Sequence, residues 1–255
     1  MKKSLLLVLI TLAGCAGQPG SHNTYANTSS GDPASRNRAH IHTDLGSGYF
    51  AQGRMAVALE EFSTAVQIDS SYAPAHNGLG LVYAALREDA KAESSFRRAL
   101  QLDADSSEAH NNYGTFLCSR SRVDDSIKEF LAALKNPLYS TPETAWLNAG
   151  ICALKKGDDK NAESYLKNAL QSEPGLRGAH YQLSNVYFNR GEYELANQHF
   201  QLFMQSGEPT PEALLLGTRI AREVNDRNAE ASYAMLLRNK YPNSEQAKAL
   251  RAGSE

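Results

Sequence analysis

Small and large apolar residues recur along the chain in an order that repeats every 34 residues. Between residues 73 and 106, this order places glycine or alanine where two helices would cross closely, and bulky side chains beside the crossing. The positions that carry the pattern are Leu79, Gly80, Tyr83, Ala92, Phe96 and Ala99. The pattern predicts two amphipathic helices joined by a short turn, with the bulky residues filling the space between this hairpin and the next.

The same order of residues recurs in five further segments. Together with residues 73–106 they predict six helical hairpins, at residues 39–72, 73–106, 107–140, 143–176, 177–209 and 210–243. A period of 34 residues with this pattern is typical of the tetratricopeptide repeat, whose units stack into a superhelical solenoid. The sequence therefore predicts an all-α, right-handed superhelical solenoid of six repeats, closed by a polar cap or tail at residues 244–255.

Residues 1–14 have the properties of a signal peptide rather than of a folded element. Two lysines precede an apolar run from Leu5 to Leu12, which is too short to span a bilayer. The run ends in Leu-Ala-Gly-Cys, which resembles the bacterial lipobox. This resemblance implies cleavage before Cys15 and attachment of lipid to its thiol. An ordinary secretory signal, cut near the same place, is the alternative.

An acylated Cys15 would anchor the chain to a membrane, stably if it carries more than one acyl chain. Ala16 is not the aspartate that tends to retain such lipoproteins in the inner membrane, so we expect the periplasmic face of the outer membrane. Residues 15–38 have no apolar period and are rich in small and polar residues, which predicts a flexible tether after the lipidated cysteine.

Composition and motifs exclude several classes of function. The chain has 255 residues, of which 42% are hydrophobic, and a net charge of -2 at pH 7. Its electrostatics therefore give no reason to expect nucleic acid as a partner. The sequence contains no glycine-rich phosphate loop, no HExxH pair and no Gly-x-Ser-x-Gly elbow. We expect a protein that is not an enzyme and that has no cofactor besides the covalent lipid on Cys15.

Two further cysteines fall in neighbouring repeats. Cys118 and Cys152 lie in the first helices of the third and fourth repeats, which are predicted to stack. An even pair of cysteines in an oxidising compartment favours a disulfide. Two buried thiols that replace small apolar residues are the alternative.

Histidine recurs at the fourth position of the repeats. The residues at this position are His42, His76, His110, His180 and, in the fourth repeat, Trp146. Equivalent positions on packed helices are about 8 to 10 Å apart, whereas zinc ligands lie about 2 Å from their metal. We interpret these side chains as packing residues and expect no metal site.

The first helix of each repeat is expected to line a concave groove. Positions 5, 9 and 12 of these helices supply Phe50, Asn77, Leu81, Asn111, Thr115, Leu147, Ile151, Tyr181, Asn185 and Phe188. This lining is mixed but notably apolar, which suits a partner helix or an extended peptide with apolar side chains. In the alternative interpretation, several of these residues belong to the core between repeats.

Two strings within the repeats are more specific than the repeat pattern itself. They are Asn111–Cys118, which reads NNYGTFLC, and Leu214–Ala221, which reads LLLGTRIA. Together with the lipobox and the six repeats, they resemble the type IV pilus biogenesis and stability lipoproteins, the pilotin family. The resemblance covers essentially the whole chain.

The resemblance implies a non-enzymatic assembly factor. Members of this family escort secretin subunits to the outer membrane and promote their assembly into the ring through which the pilus emerges. The expected partners are therefore the pilus secretin and the outer membrane, and we expect a monomer. A general envelope scaffold, such as an adaptor for peptidoglycan enzymes, is the alternative, and a lipoprotein hydrolase would need a catalytic cluster that the sequence lacks.

Overall fold

The computed structural model describes residues 32–252; the predicted signal peptide, Cys15 and most of the predicted tether lie outside them. The described part of the chain folds into α-helices, without strands. In chain order they are α1 (Pro33–Ala51), α2 (Met55–Ile68), α3 (Ala73–Ala85), α4 (Asp89–Leu102), α5 (Ser107–Ser119), α6 (Val123–Ala133), α7 (Pro142–Lys155), α8 (Asp159–Ser172), α9 (Arg177–Asn189), α10 (Tyr193–Met204), α11 (Pro211–Glu223), α12 (Arg227–Lys240) and α13 (Glu245–Ala252).

Consecutive helices form hairpins, from α1 with α2 to α11 with α12, and each hairpin packs against the next. One bulky side chain in the second helix of each of the first five hairpins is completely or almost completely buried. These side chains are Phe62, Phe96, Phe130, Leu166 and Phe200. The structure thereby confirms the all-α solenoid of helical hairpins that the 34-residue period predicts.

Glycine permits the close crossing of the two helices within a hairpin. A Cβ atom added at Gly80 would lie 2.6 Å from the Phe96 ring, and one added at Gly46 would lie 2.8 Å from the Phe62 ring. Both distances are shorter than the separation at which non-bonded carbon atoms pack in protein interiors. The small residue of the sequence pattern is therefore a steric requirement of the crossing.

The substitution Gly80→Ala is expected to lower the free energy of unfolding by about 1 to 3 kcal/mol, because the buried Phe96 ring has to move. Gly48→Ala is the matched control, since a Cβ atom at this helical position meets nothing within 4 Å. Alanine is also the better helix former, so the control is expected to be neutral or slightly stabilising. Urea denaturation of both variants measures the difference, and equal destabilisation would contradict the steric explanation.

The first helix begins earlier than the sequence analysis predicts. Helix α1 starts at Pro33, so the prediction of a tether is wrong for residues 33–38. The Asp32 side chain accepts a hydrogen bond from the backbone amide of Ser35, and Pro33 occupies the first helical turn. Both features favour the start of a helix. The early turns are also packed, since Ser35 is completely buried.

The last helix, α13, is short and packs on the final hairpin. Ala247 and Leu250 contact a cluster that includes Leu214 and Leu237. Helix α13 thus lies on α11 and α12 where the first helix of a further repeat would lie. It has eight residues, against thirteen in α11, and so covers only part of this surface.

Candidate protein-binding groove

The contacts between repeats define which face of the solenoid is concave. The first helices of successive repeats touch one another, α1 with α3 and so on to α9 with α11. Within residues 32–252, no second helix touches the second helix of the next repeat. A stack whose helices touch along one side and separate along the other must curve towards the touching side. The first helices therefore line the concave face, here called the groove.

Asparagine side chains connect the first helices across the groove. The Asn112 amide donates a hydrogen bond to Asn77 Oδ1 at 3.3 Å. The Asn148 amide donates to Asn111 Oδ1 at 3.1 Å and lies 3.4 Å from Thr115 Oγ1. These residues of α3, α5 and α7 are called the amide ladder below. Each side-chain amide has two donors and one acceptor oxygen, so the ladder retains hydrogen-bonding capacity for a bound peptide.

Two members of the amide ladder were missed by the sequence analysis. Asn112 and Asn148 occupy position 6 of the third and fourth repeats, whereas only positions 5, 9 and 12 were assigned to the groove. The recurrence of asparagine at one position in consecutive repeats is a signal that could have found them.

The apolar residues assigned to the groove are mostly half-buried. Phe50 packs against the buried cluster around Phe62, and Leu81 packs against the cluster around Phe96. A third cluster, in the C-terminal half, receives Leu147, Tyr181 and Phe188. Thr115 is exposed, and Ile151 and Asn185 are partly exposed. The apolar lining thus also contributes to packing between repeats, and its exposed edge is available to a ligand.

The two cysteines of the repeats lie next to the amide ladder. The structure joins Cys118 of α5 to Cys152 of α7, with their Cα atoms 5.8 Å apart, a usual separation for a disulfide. The Ser126 hydroxyl lies 2.9 Å from Cys152 Sγ. A covalent bond here would fix the spacing of the helices that carry Asn111 and Asn148. Formation of this bond in the protein stays a prediction.

Four of the five position-four side chains contact the residue nineteen positions later, on the second helix of the same repeat. The contacts are His42 Nδ1 with Glu61 at 2.7 Å, His110 Nδ1 with Glu129 at 2.6 Å, His180 Nδ1 with His199 Nδ1 at 2.9 Å, and the stacked rings of Trp146 and Tyr165 at 5.8 Å. His76 instead lies 3.0 Å from the Ser70 carbonyl oxygen. Four of these side chains thus connect the two helices of a hairpin.

The fifth repeat differs because a histidine replaces the carboxylate. In the contact between His180 and His199, one Nδ1 must carry the proton and donate it to the other Nδ1. The two rings therefore cannot both be positively charged. Burial above all, together with the neighbouring His180 and Lys167 and against the opposing effect of Glu163, lowers the pKa of His199 to about 4. In the third repeat, the hydrogen bond to Glu129 raises the pKa of His110.

The His199 ring predicts a loss of stability in mild acid. In the unfolded chain His199 titrates near pH 6.5, so its contribution is complete above that value and declines as the pH falls towards about 4. Because the ring is half-buried and partly screened by water, we expect a decrease of about 1 to 2 kcal/mol. Urea denaturation at pH 7.5 and 4.5 should show a larger decrease in the wild type than in His199→Gln, in which His76, whose pKa burial also lowers, still contributes. Equal decreases in both would contradict the prediction.

The described residues offer neither a metal site nor a membrane-spanning helix. Within residues 32–252, no three or more His, Cys, Asp or Glu side chains come together in a way that could hold a metal ion. In the same part of the chain, no helix has the length and apolar character needed to cross a membrane.

Comparisons with known proteins identify relatives with the same architecture. Tetratricopeptide repeat families match residues 46–86, 73–106 and 117–176. The type IV pilus assembly protein PilF of Pseudomonas aeruginosa is 29% identical over 240 residues, which are 94% of this chain and 93% of that protein.

Two solved structures resemble the chain over most of its length. The structure of Pseudomonas aeruginosa PilF has a TM-score of 0.81 and 28% identity, and covers 86% of this chain and 99% of that one. The crystal structure of PilW, a widely conserved type IV pilus biogenesis factor, has a TM-score of 0.76 and 32% identity, and covers 83% of this chain and 97% of that one.

The likeness to these relatives includes both the repeats and nearly the full length of the proteins. It makes the chain a protein-binding assembly factor, not an enzyme, that works without a cofactor. The chain belongs to the tetratricopeptide family of type IV pilus biogenesis factors that includes PilF and PilW.

Proposed function

We propose that this protein is an outer-membrane lipoprotein of the pilotin type. It binds secretin subunits through the groove, brings them to the outer membrane and promotes their assembly into the multimeric ring. The family membership supports a role in pilus biogenesis, and the lipobox at Cys15 supports an acyl anchor on the periplasmic face of the outer membrane.

The amide ladder is the observation that carries the proposal. An extended peptide presents one donor and one acceptor per residue, and a side-chain amide can pair with both. The ladder crosses three successive first helices, so it presents such groups along the direction in which a peptide would lie. Half-buried apolar side chains flank the ladder and would receive the apolar residues of the secretin segment.

The groove can be tested without disturbing the core. Truncating Phe50 and Leu81 would remove packing as well as lining, because both contact buried clusters. The double substitution Thr115→Arg, Ile151→Arg instead adds bulk and charge at an exposed and a partly exposed position. The matched control is Ser94→Arg, Gln201→Arg, at exposed positions on second helices.

We expect the affinity of the groove variant for secretin to be at least about tenfold lower than that of the wild type. This corresponds to a binding free energy that is weaker by about 1.4 kcal/mol or more. Purified full-length protein is immobilised and incubated with solubilised secretin subunits, and the retained secretin is measured. The control variant should match the wild type, and circular dichroism should show that all three are folded. Full retention by the folded groove variant would contradict secretin binding in the groove.

A further inference from the structure

An open cavity of about 820 Å³ lies at the C-terminal end of the stack, between α11, α12 and α13. It is separate from the groove residues described above. Its walls come from the C-terminal half of α11 and from one face of α12, and Leu250 of α13 lies at its edge. The cavity is therefore the part of the last hairpin that the short α13 leaves uncovered.

The earlier repeats show what normally covers this face. Position 21 is glutamate in the second, fourth and sixth repeats, as Glu93, Glu163 and Glu230. Glu93 accepts hydrogen bonds from Tyr113 and Arg122, and Glu163 accepts them from Tyr187 and Arg190. These donors belong to the following repeat, and they add to the ion pairs that the two glutamates form with Arg97 and Lys167 of their own repeats. The glutamate at position 21 thus forms hydrogen bonds that connect its repeat to the following one.

In the sixth repeat this glutamate has a different partner. Glu230 pairs with Arg222 of its own repeat, whose Nε lies 2.8 Å from the carboxylate. Arg227 and Arg238 also line the cavity, and neither forms an ion pair with a carboxylate of the described residues. Three arginines and one glutamate leave the cavity with an excess of two positive charges.

The cavity also has an apolar component. Met235 is 61% exposed, the second most exposed large apolar residue of the described part. Ala231, Ala234 and Leu250 complete an apolar strip beside the arginines. A surface that pairs an apolar strip with unpaired cations is complementary to an amphipathic helix with carboxylates beside its apolar face.

We propose that this cavity is a second docking site, which receives an acidic amphipathic helix of a partner protein. The helix lies beside α13 on the last hairpin and occupies the part of the site that α13 leaves open. Its apolar side chains contact Met235, Ala231 and Ala234, and its carboxylates pair with Arg227 and Arg238. The site does not depend on the groove, so a partner bound here leaves the groove free.

The probe is a fluorescein-labelled helical peptide of fourteen residues, with leucine on one face and glutamate at the flanking positions. Fluorescence anisotropy with the full-length protein should show saturable binding. Arg227→Glu, Arg238→Glu should weaken this binding at least about tenfold, because two attractive contacts become repulsive. The matched control Arg98→Glu, Lys160→Glu, at exposed positions elsewhere, should bind within about twofold of the wild type.

A second peptide with lysine in place of glutamate should bind at least about tenfold more weakly to the wild type. Met235→Ser provides a variant that keeps the charges, and it too should weaken the acidic peptide. Absence of binding, or equal binding of both peptides, would overturn the proposal. Two further outcomes would overturn the proposal, each combined with an unchanged affinity of the arginine variant for the acidic peptide. In one, the variant loses binding to phosphatidylglycerol vesicles; in the other, it loses self-association in sedimentation.

Discussion

Replacing Cys15 with serine is expected to move the protein from the outer membrane into the soluble periplasmic fraction. The serine hydroxyl cannot take the place of the thiol in lipid attachment, and residues 32–252 contain no helix that could span a membrane. If Cys15 is acylated as proposed, the variant lacks the membrane affinity of the acyl chains, which is about 0.8 kcal/mol for each buried CH₂ group. Membrane fractionation followed by blotting measures the change.

The solenoid of the Cys15→Ser variant should remain folded, because the described helices pack among themselves within residues 32–252 and Cys15 is not one of these residues. Secretin should then be mislocalised although the variant still binds it in solution. The Ala16→Asp variant is a useful companion, since we expect it to be lipidated and retained in the inner membrane. Correct delivery of secretin by the acyl-free protein would show that the anchor is dispensable.

Removing the bond between Cys118 and Cys152 is expected to lower the free energy of unfolding by about 3 to 4 kcal/mol. The bond closes a loop of 34 residues, and the chain-entropy estimate for such a loop has this size. Both sulfur atoms are buried between α5 and α7, so the double variant Cys118→Ala, Cys152→Ala also frees the spacing of these helices. Urea denaturation with and without dithiothreitol measures the effect.

The reductant provides the internal control for this prediction. Dithiothreitol should destabilise the wild type to about the level of the double variant and leave the variant unchanged. If the wild type is insensitive to the reductant, and both thiols react with maleimide after unfolding, the bond is absent. The two cysteines are then buried thiols, as in the alternative interpretation.

The hairpins could be predicted because their requirements repeat. The packing of a glycine against a bulky ring, as at Gly80 and Phe96, requires the same residue types at the same positions of several repeats. The ends of the stack follow other rules. Helix α1 begins at a local cap formed by Asp32 and Pro33, and Leu45 is 45% exposed although its counterpart Leu79 is buried. The periodic pattern reflects the packing constraints that a repeat experiences between two neighbours. A terminal repeat has a neighbour on one side, so the pattern predicts its burial less well.

The groove could be predicted only in part. Its position followed from the repeat, but the partition of each side chain between lining and core depends on how far one hairpin rotates against the next. Leu81 is half-buried for this reason, and Asn148 reaches Asn111 and Thr115 for the same reason. The contacts of His110 depend on the register of its hairpin, although a histidine followed nineteen residues later by glutamate was visible in two repeats.

The most direct test of the pilotin role is the state of the secretin in the cell. Outer-membrane fractions are prepared from cells that lack this gene and from cells that carry the wild type or the Thr115→Arg, Ile151→Arg variant. They are run on an unheated gel and blotted for the pilus secretin. We predict that the large secretin multimer is lost without the gene, restored by the wild type and not restored by the groove variant. An unchanged multimer in cells that lack the gene would contradict the proposed function.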